Sequence, residues 1–171
     1  DRVINGQDMV VTPGFVNGHC HISYAHATRG VFPDDLGSEY LANVFRLQSS
    51  MSAEEEHFTS LLAITELLSY GTTTIMDPGS TKHVDACMGA YEQSGLRIIT
   101  GTQITDRKNP YRMPVYTHSE ALNATENFIN QFSGALEGRV TAWAMPFSPE
   151  YVSGGLLTDL KRLADHFNTG A

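Results

Sequence analysis

The sequence predicts an α/β fold on a parallel sheet, and three observations carry that prediction. Short apolar runs rich in β-branched and aromatic residues alternate with longer amphipathic ones. Two of the amphipathic runs open on a Ser or Thr followed three residues later by Glu, the pattern of a capping box. Three of the four apolar runs lack a clean polar alternation, as strands do when both faces are covered. Strand and helix in alternation join parallel strands through right-handed crossovers. About four βα units fit the chain, a number that an open doubly wound sheet and half of a (β/α)8 barrel both satisfy.

The first strand is expected at residues 14–19, around Phe15 and Val16, and a helix within 34–49 in the long insertion that follows. Ser52 and Glu55 then open a helix whose apolar stripe is Phe58, Leu61, Leu62 and Leu68, with Thr65 between. Gly71 stands where a left-handed C-terminal cap is wanted. The second strand takes 72–77, a helix covers 82–93 and ends at Gly95, and the third strand takes 96–100. Thr117 and Glu120 open the next helix, with Leu122, Thr125, Phe128, Ile129 and Phe132 on one face. A fourth strand is expected at 140–145. The last helix starts at Ser153 and buries Leu156, Leu160, Leu163, Ala164 and Phe167.

Composition narrows the function classes. The 171 residues carry 11 basic and 19 acidic side chains, a net charge of −8, with 41% hydrophobic residues. That balance is globular rather than disordered. With Lys and Arg scattered singly, it also argues against a nucleic-acid binder, including a transcription or RNA factor. No apolar run reaches the roughly 20 residues that span a bilayer, and no basic amphipathic stretch suits a membrane surface. Cys20 and Cys87 are too few and too far apart for a disulfide scaffold, so a reducing, cytoplasmic setting is expected. The first residues show no charged-then-apolar signal-peptide pattern, and the chain opens on Asp1 in mid-pattern, as a segment of a longer protein would. No GxGxxG or GxxxxGK[ST] turn follows a strand, which leaves dinucleotide and P-loop readings without support.

The sharpest chemical signal is His19-Cys20-His21 at the end of the first strand. Residues two apart on a strand project to one face. Both imidazoles would then point together from a C-terminal strand edge, where α/β folds build their sites. Two neutral imidazoles at that spacing make half of a divalent-metal site. The competing reading is two structural or surface histidines that happen to be neighbours. Cys20 should face the other way as a packing thiol. Arg29, Asp77 and Gln103 follow strand ends and are candidates for substrate contact, each weighed against a structural role: Arg29 and His26 in the loop after the first strand, Asp77 closing the second. His57, His83 and His166 lie on amphipathic helices and are expected to be solvated, whereas Trp143 and Met145 are expected to pack.

Residues 11–21, Val-Thr-Pro-Gly-Phe-Val-Asn-Gly-His-Cys-His, resemble the first barrel strand of the amidohydrolase superfamily, whose usual form is PGFVNxHxH. Gly71-Thr72-Thr73-Thr74-Ile75-Met76-Asp77 is similar to its second strand, and Ser94-Gly95-Leu96-Arg97 to the entry of its third. Residues 146–153, Pro-Phe-Ser-Pro-Glu-Tyr-Val-Ser, resemble the fourth strand of the cytosine-deaminase-like branch, which holds guanine and nucleoside deaminases and triazine chlorohydrolases. The resemblance implies the first half of a (β/α)8 TIM barrel. Residues 1–12 would be the end of a preceding small β-sandwich, and 13–171 the first four βα units.

It further implies one divalent metal ion, Zn or Fe, although Mn, Co and Ni also accept imidazole. His19 and His21 would be its first-strand ligands. The family's other ligands, histidines on strands five and six and an aspartate on strand eight, have no counterpart here, nor have its proton shuttles. In the complete site the metal would lower the pKa of a bound water from about 15.7 toward about 7. The implied activity is hydrolysis, by that metal-activated hydroxide, of non-peptide C–N or C–halide bonds in a small, cyclic molecule.

Phe147 stands where many deaminases of the branch carry the histidine of a PHxP motif, and Tyr40-Leu41 where they show Trp-Leu. Both departures weaken a purine or nucleoside deaminase assignment and leave room for a more apolar substrate, with Phe147, Phe32 and Tyr24 as candidate pocket walls. The partners implied are a small-molecule substrate and the rest of the same chain, or a complementary chain, to complete the barrel. A homo-oligomer is expected, without nucleic acid or membrane. The alternative is a non-catalytic barrel homologue with a ligand-binding or assembly role, which would lack metal ligands on the later strands.

Overall fold

The computed structural model describes residues 2–37, 39–79 and 81–171. Four strands, β1 (Phe15–Asn17), β2 (Thr72–Met76), β3 (Arg97–Thr100) and β5 (Val140–Ala142), form one parallel sheet in the order β1-β2-β3-β5. The order follows the sequence with no reversal. A doubly wound sheet reverses its strand order at a switch point, so the topology is that of consecutive barrel strands. A second two-stranded parallel sheet pairs β4 (Gln103–Ile104) with β6 (Met145–Pro146). The single strand expected at 140–145 is therefore two short ones. Trp143 and Ala144 break the ladder, with Trp143 N–H still donating to the Thr100 carbonyl (2.8 Å) and Ala144 N–H to that of Gly170 (3.0 Å).

The helices are α1 (Ile22–Thr28), α2 (Glu39–Ser50), α3 (Ala53–Ser69), α4 (Val84–Ser94), α5 (His118–Phe132), the short α6 (Ala135–Gly138) and α7 (Gly154–His166). Both capping boxes form. Ser52 Oγ accepts from Glu55 N–H (3.2 Å) while Glu55 accepts from Ser52 N–H (2.7 Å), and Thr117 and Glu120 repeat the exchange on α5. Helix α7 likewise starts just after its cap, Ser153, whose hydroxyl accepts from Leu156 N–H (3.3 Å). Gly71 and Gly95 follow α3 and α4 with φ of +84° and +72°, the left-handed conformation that spares a Cβ clash. Helix α1 has no forerunner among the sequence expectations.

Strand parity sorts the sheet into two faces. Ile75, Ile98, Val140 and Ala142 are buried against the helices, in one cluster with Ala63, Ile64, Cys87, Tyr91 and Phe128. Ile75 is level with Ile98, and Ile98 with Val140. Thr141, of opposite parity to Val140 and Ala142, is exposed on the face that a closed barrel turns inward. A second cluster around Ile104, Ala144, Val152, Leu156 and Leu160 seats α7, so the stripe expected on that helix is the buried one.

The stripe expected on α3 is not. Phe58 and Leu62 are 60% and 58% exposed, and the buried face is Glu56, Ser60, Ala63 and Ile64. α3 has apolar residues on more than one side, and its small residues are the ones that let α1 and α4 pack closely on it. Phe15 and Val16 on edge strand β1 are exposed as well. Residues 2–14 contain no helix or strand, and Val3, Ile4, Met9, Val10 and Val11 are exposed. Among the described residues no helix is long and apolar enough to cross a membrane.

Candidate metal centre

His19 and His21 lie just beyond the C-terminal end of β1, between it and α1. Cys20 between them packs toward the helix-side cluster, and its N–H continues the β1–β2 ladder by donating to the Met76 carbonyl (2.9 Å). Alternation thus sends the two imidazoles together, to the side opposite Cys20. Their Nε2 atoms are 3.3 Å apart, with ring planes at 83°. Two nitrogens each about 2.0–2.1 Å from one tetrahedral ion would be about 3.3 Å apart. The spacing fits a shared metal. Burial, and next the neighbouring His19, lower the His21 pKa to about 4, so its ring is neutral at pH 7, the form that ligates. Among the described residues no group of three or more His, Cys, Asp or Glu side chains is arranged to hold a metal ion.

An aromatic path leads from this pair across the rim. His21 stacks on Tyr24 (centroids 5.3 Å), and Tyr24 meets Phe45 of α2 (5.9 Å). Phe45 in turn touches Phe147 (6.1 Å) and Tyr111 (5.6 Å). Phe147, half-buried after β6, also stacks on Tyr151 (6.0 Å). Phe32 packs with Tyr24 and Val44 in a separate small cluster beside α2. Gln103 lines a cavity of about 540 Å³ together with Phe45, Arg46, Lys82 and Tyr111. Its Oε1 is buried without a hydrogen-bond partner in the fold. The histidine pair does not line this cavity, and the aromatic path connects the two.

Two of the candidates for substrate contact have partners within the chain, in keeping with the structural role weighed for each. The Arg29 guanidinium makes two hydrogen bonds to Glu66 of α3 (2.8 and 3.0 Å), and His26 Nε2 makes a third contact to it (2.9 Å). The Arg29 and His26 bonds hold the Glu66 carboxyl down at about 2. Asp77 shares the parity of Ile75 and so points into the helix layer, fully buried. Its carboxylate accepts from Gly79 N–H (3.2 Å) and from the Tyr91 hydroxyl (3.4 Å). Burial pushes its pKa up to about 7 against those bonds.

His57 and His83 are corrected. They are half-buried, with His57 Nδ1 at 2.8 Å from the Ala86 carbonyl and His83 Nε2 at 3.2 Å from that of Met51; His166 is exposed as expected. Met145 is buried and Trp143 half-buried, its ring lying over Gly170.

Sequence reasoning missed Glu56. It is fully buried in the first turn of α3, and accepts from Lys82 N–H (3.0 Å), His83 N–H (2.6 Å) and the Gln48 amide (3.3 Å). An acidic residue in a first turn reads as helix-dipole chemistry, so nothing in the sequence marked its longer reach.

Comparison with known proteins agrees with this architecture. The chain is 28% identical over 171 residues to 5'-deoxyadenosine deaminase of Methanobrevibacter smithii, covering 99% of this chain and 38% of that protein. It superposes on E. coli guanine deaminase with a TM-score of 0.68 at 22% identity, over 91% of this chain and 34% of the other. Atrazine chlorohydrolase from Arthrobacter aurescens TC1, complexed with zinc, gives a TM-score of 0.73 at 18% identity over 91% and 39%. The chain therefore spans under two fifths of the length of these relatives and has the fold of the first part of their barrels. Residues 10–171 match the amidohydrolase family. On that match, and on a parallel sheet whose strands run in barrel order, the chain belongs to the amidohydrolase family.

Proposed function

We propose that the chain supplies the N-terminal half of a metal-dependent hydrolase acting on non-peptide C–N or C–halide bonds of a small cyclic molecule. The observation that carries this is the 3.3 Å approach of the His19 and His21 Nε2 atoms just past the C-terminal end of β1. In this reading both imidazoles hold one divalent ion, Zn or Fe before Mn, Co or Ni. An ion there supplies Lewis acidity that activates water for attack on an electron-poor carbon. The chain's own contribution is to keep His21 neutral, to wall the approach with Tyr24, Phe45 and Phe147, and to exclude water through that aromatic surface. Gln103, whose carbonyl oxygen lacks a donor, suits contact with a substrate N–H or O–H.

Two imidazoles are fewer than the three protein ligands of a catalytic site. The remaining ligands must therefore come from the rest of the same chain or a complementary one. The exposed Phe15, Val16, Phe58 and Leu62 favour that completion, and a homo-oligomer of completed barrels is part of the reading. Residues 1–12 would belong to the preceding small β-sandwich. The free thiols of Cys20 and Cys87 suit a reducing cytoplasm.

The test is metal analysis of the full-length protein with a release assay for ammonia, chloride or amine across a panel of heterocycles. The reading expects about one bound divalent ion, lost in His19→Ala and His21→Ala together with turnover. Retention of metal by the double variant would overturn it. A full-length protein without metal or turnover would favour a binding or assembly homologue.

A further inference from the structure

We propose that Asn109 is a positioning residue for ring recognition: its side chain braces the loop after β4 so that Tyr111 stands as a preformed wall between the cavity and Phe147. The kinetic consequence rests on the hydrolase reading above, whereas the brace and the wall rest on separate observations.

Residues 105–116 leave β4 and return to it. Tyr116 N–H donates to the Thr105 carbonyl (2.9 Å) and the Thr105 hydroxyl to the Pro114 carbonyl (2.7 Å), so the two ends of the loop close on each other. Closed loops of this size are packed by their own side chains, and here Asn109 fills that place. Its Oδ1 accepts from Tyr111 N–H and from Met113 N–H, both at 3.1 Å. Its Nδ2 donates to the Met113 carbonyl (3.3 Å) and to the Thr105 hydroxyl (3.4 Å). Both acceptor positions and both donors of the amide are thereby used.

Between the two gripped N–H groups lies Arg112, whose φ of +58° is left-handed. A residue with a Cβ keeps that conformation only where its surroundings impose it, and the bonds on either side impose it here. The turn at Arg112 sets the direction in which Tyr111 leaves the loop. The Tyr111 ring meets Phe45 (5.6 Å), Phe147 (5.6 Å) and Tyr151 (5.8 Å), and with Phe45 it lines the cavity. The base of the loop is latched to the segment that carries Phe147 and Tyr151. Asp106 N–H and Arg107 N–H donate to the Tyr151 carbonyl (3.2 and 3.1 Å), and the Asp106 carboxylate accepts from Ser153 N–H (2.7 Å). Among the described residues, the hydrogen bonds that hold the tip are those of Asn109.

A wall fixed before a ligand arrives lowers the ordering cost of binding, and aromatic faces suit a flat ring. The experiment uses full-length protein and three readouts. Hydrogen–deuterium exchange of the metal-free protein reports the brace. Calorimetric binding of indole reports the wall, because indole is a flat bicycle without a basic nitrogen to coordinate a metal. Steady-state kinetics on the heterocycle that the release assay identifies report the consequence. In Asn109→Ala, exchange at residues 111–113 should accelerate by about tenfold for each lost bond. Indole affinity should fall by about tenfold, and the kinetic loss should fall on KM with kcat held within about twofold. Asn109→Asp keeps both acceptor positions and should restore most of the protection and of the indole affinity. Tyr111→Ala removes the wall but not the brace, so indole binding should fall while exchange at Met113 stays slow.

Ile64→Val, in the helix-side cluster away from the loop, controls for general destabilisation and should change none of these. A wild-type protein that does not bind indole, unchanged exchange at 111–113 in Asn109→Ala, faster exchange with unchanged indole affinity, a loss confined to kcat, or the same losses in Ile64→Val would each overturn the proposal. If Asn109→Ala does not fold, Thr105→Val removes the hydroxyl that Asn109 Nδ2 reaches and should give a smaller loss of the same kind; no loss would overturn the inference. A protein without metal or turnover that still loses indole on Asn109→Ala would instead sink the hydrolase reading and leave the brace standing.

Discussion

Replacing Glu56 by leucine asks whether the start of α4 depends on a carboxylate borrowed from α3. Glu56 is fully buried, and its two oxygens divide the work: Oε1 accepts from Lys82 N–H (3.0 Å) and Oε2 from His83 N–H (2.6 Å). Leucine has similar bulk, so little cavity forms, but both backbone donors remain with no acceptor. Each orphaned donor costs about 1–3 kcal/mol, so the variant should lose about 2–6 kcal/mol. Glutamine keeps one oxygen and turns an NH2 toward the other N–H, which predicts an intermediate loss of about 1–3 kcal/mol. Urea denaturation of the full-length protein, with hydrogen exchange at residues 82–94, measures both. The reasoning fails if Glu56→Leu costs less than about 1 kcal/mol, or if glutamine is worse than leucine. The first result would mean that relief from burying the carboxylate offsets the two bonds, and the second that the remaining oxygen of glutamine does not serve the two N–H groups.

Phe147→His puts an imidazole among Phe45, Tyr111 and Tyr151 and should move the substrate preference of the full-length protein toward polar rings; an unchanged profile on a heterocycle panel would remove the apolar-pocket argument. The Glu66 carboxyl, held at about 2 against an ordinary 4.5, binds fewer protons folded than unfolded. Its contribution is therefore complete above pH 4.5 and fades as pH falls toward 2. Glu66→Gln should flatten the fall in thermal midpoint across that window. Gly101→Ala would press a Cβ into the Trp143 carbonyl oxygen and set it 2.6 Å from Met145 Cγ. Because the backbone oxygen cannot give way, the loss should be about 1–3 kcal/mol, read from the urea midpoint.

How much was legible depended on how local the cause is. Ser52 with Glu55 and Thr117 with Glu120 marked helix starts because a capping box closes within four residues. The stripe on α7 was readable because it is the helix's main apolar face. On α3 the same rule chose the wrong side: Phe58 and Leu62 outrank Ser60 and Ala63 in hydrophobicity, yet closeness of approach to α1 and α4 decided which side went in. Asp77, weighed between substrate contact and a structural role from its place at a strand end, shares the parity of Ile75, which puts it on the helix side. Glu56 left no trace, since its partners at 82 and 83 are more than 25 residues away.

The amino-acid order alone settled the alternation of strands and helices, their caps, and the pairing of two imidazoles on one face, because those follow from backbone periods of 2 and 3.6 and from bonds within a few residues. The tertiary structure decided the rest. It distinguished barrel order from a doubly wound sheet, turned Glu56 inward as an anchor, and left Gln103 with an unmet acceptor beside a cavity. Each of those outcomes depends on which distant donors reach a side chain, and only the packing of separate elements brings such donors within about 3 Å of it.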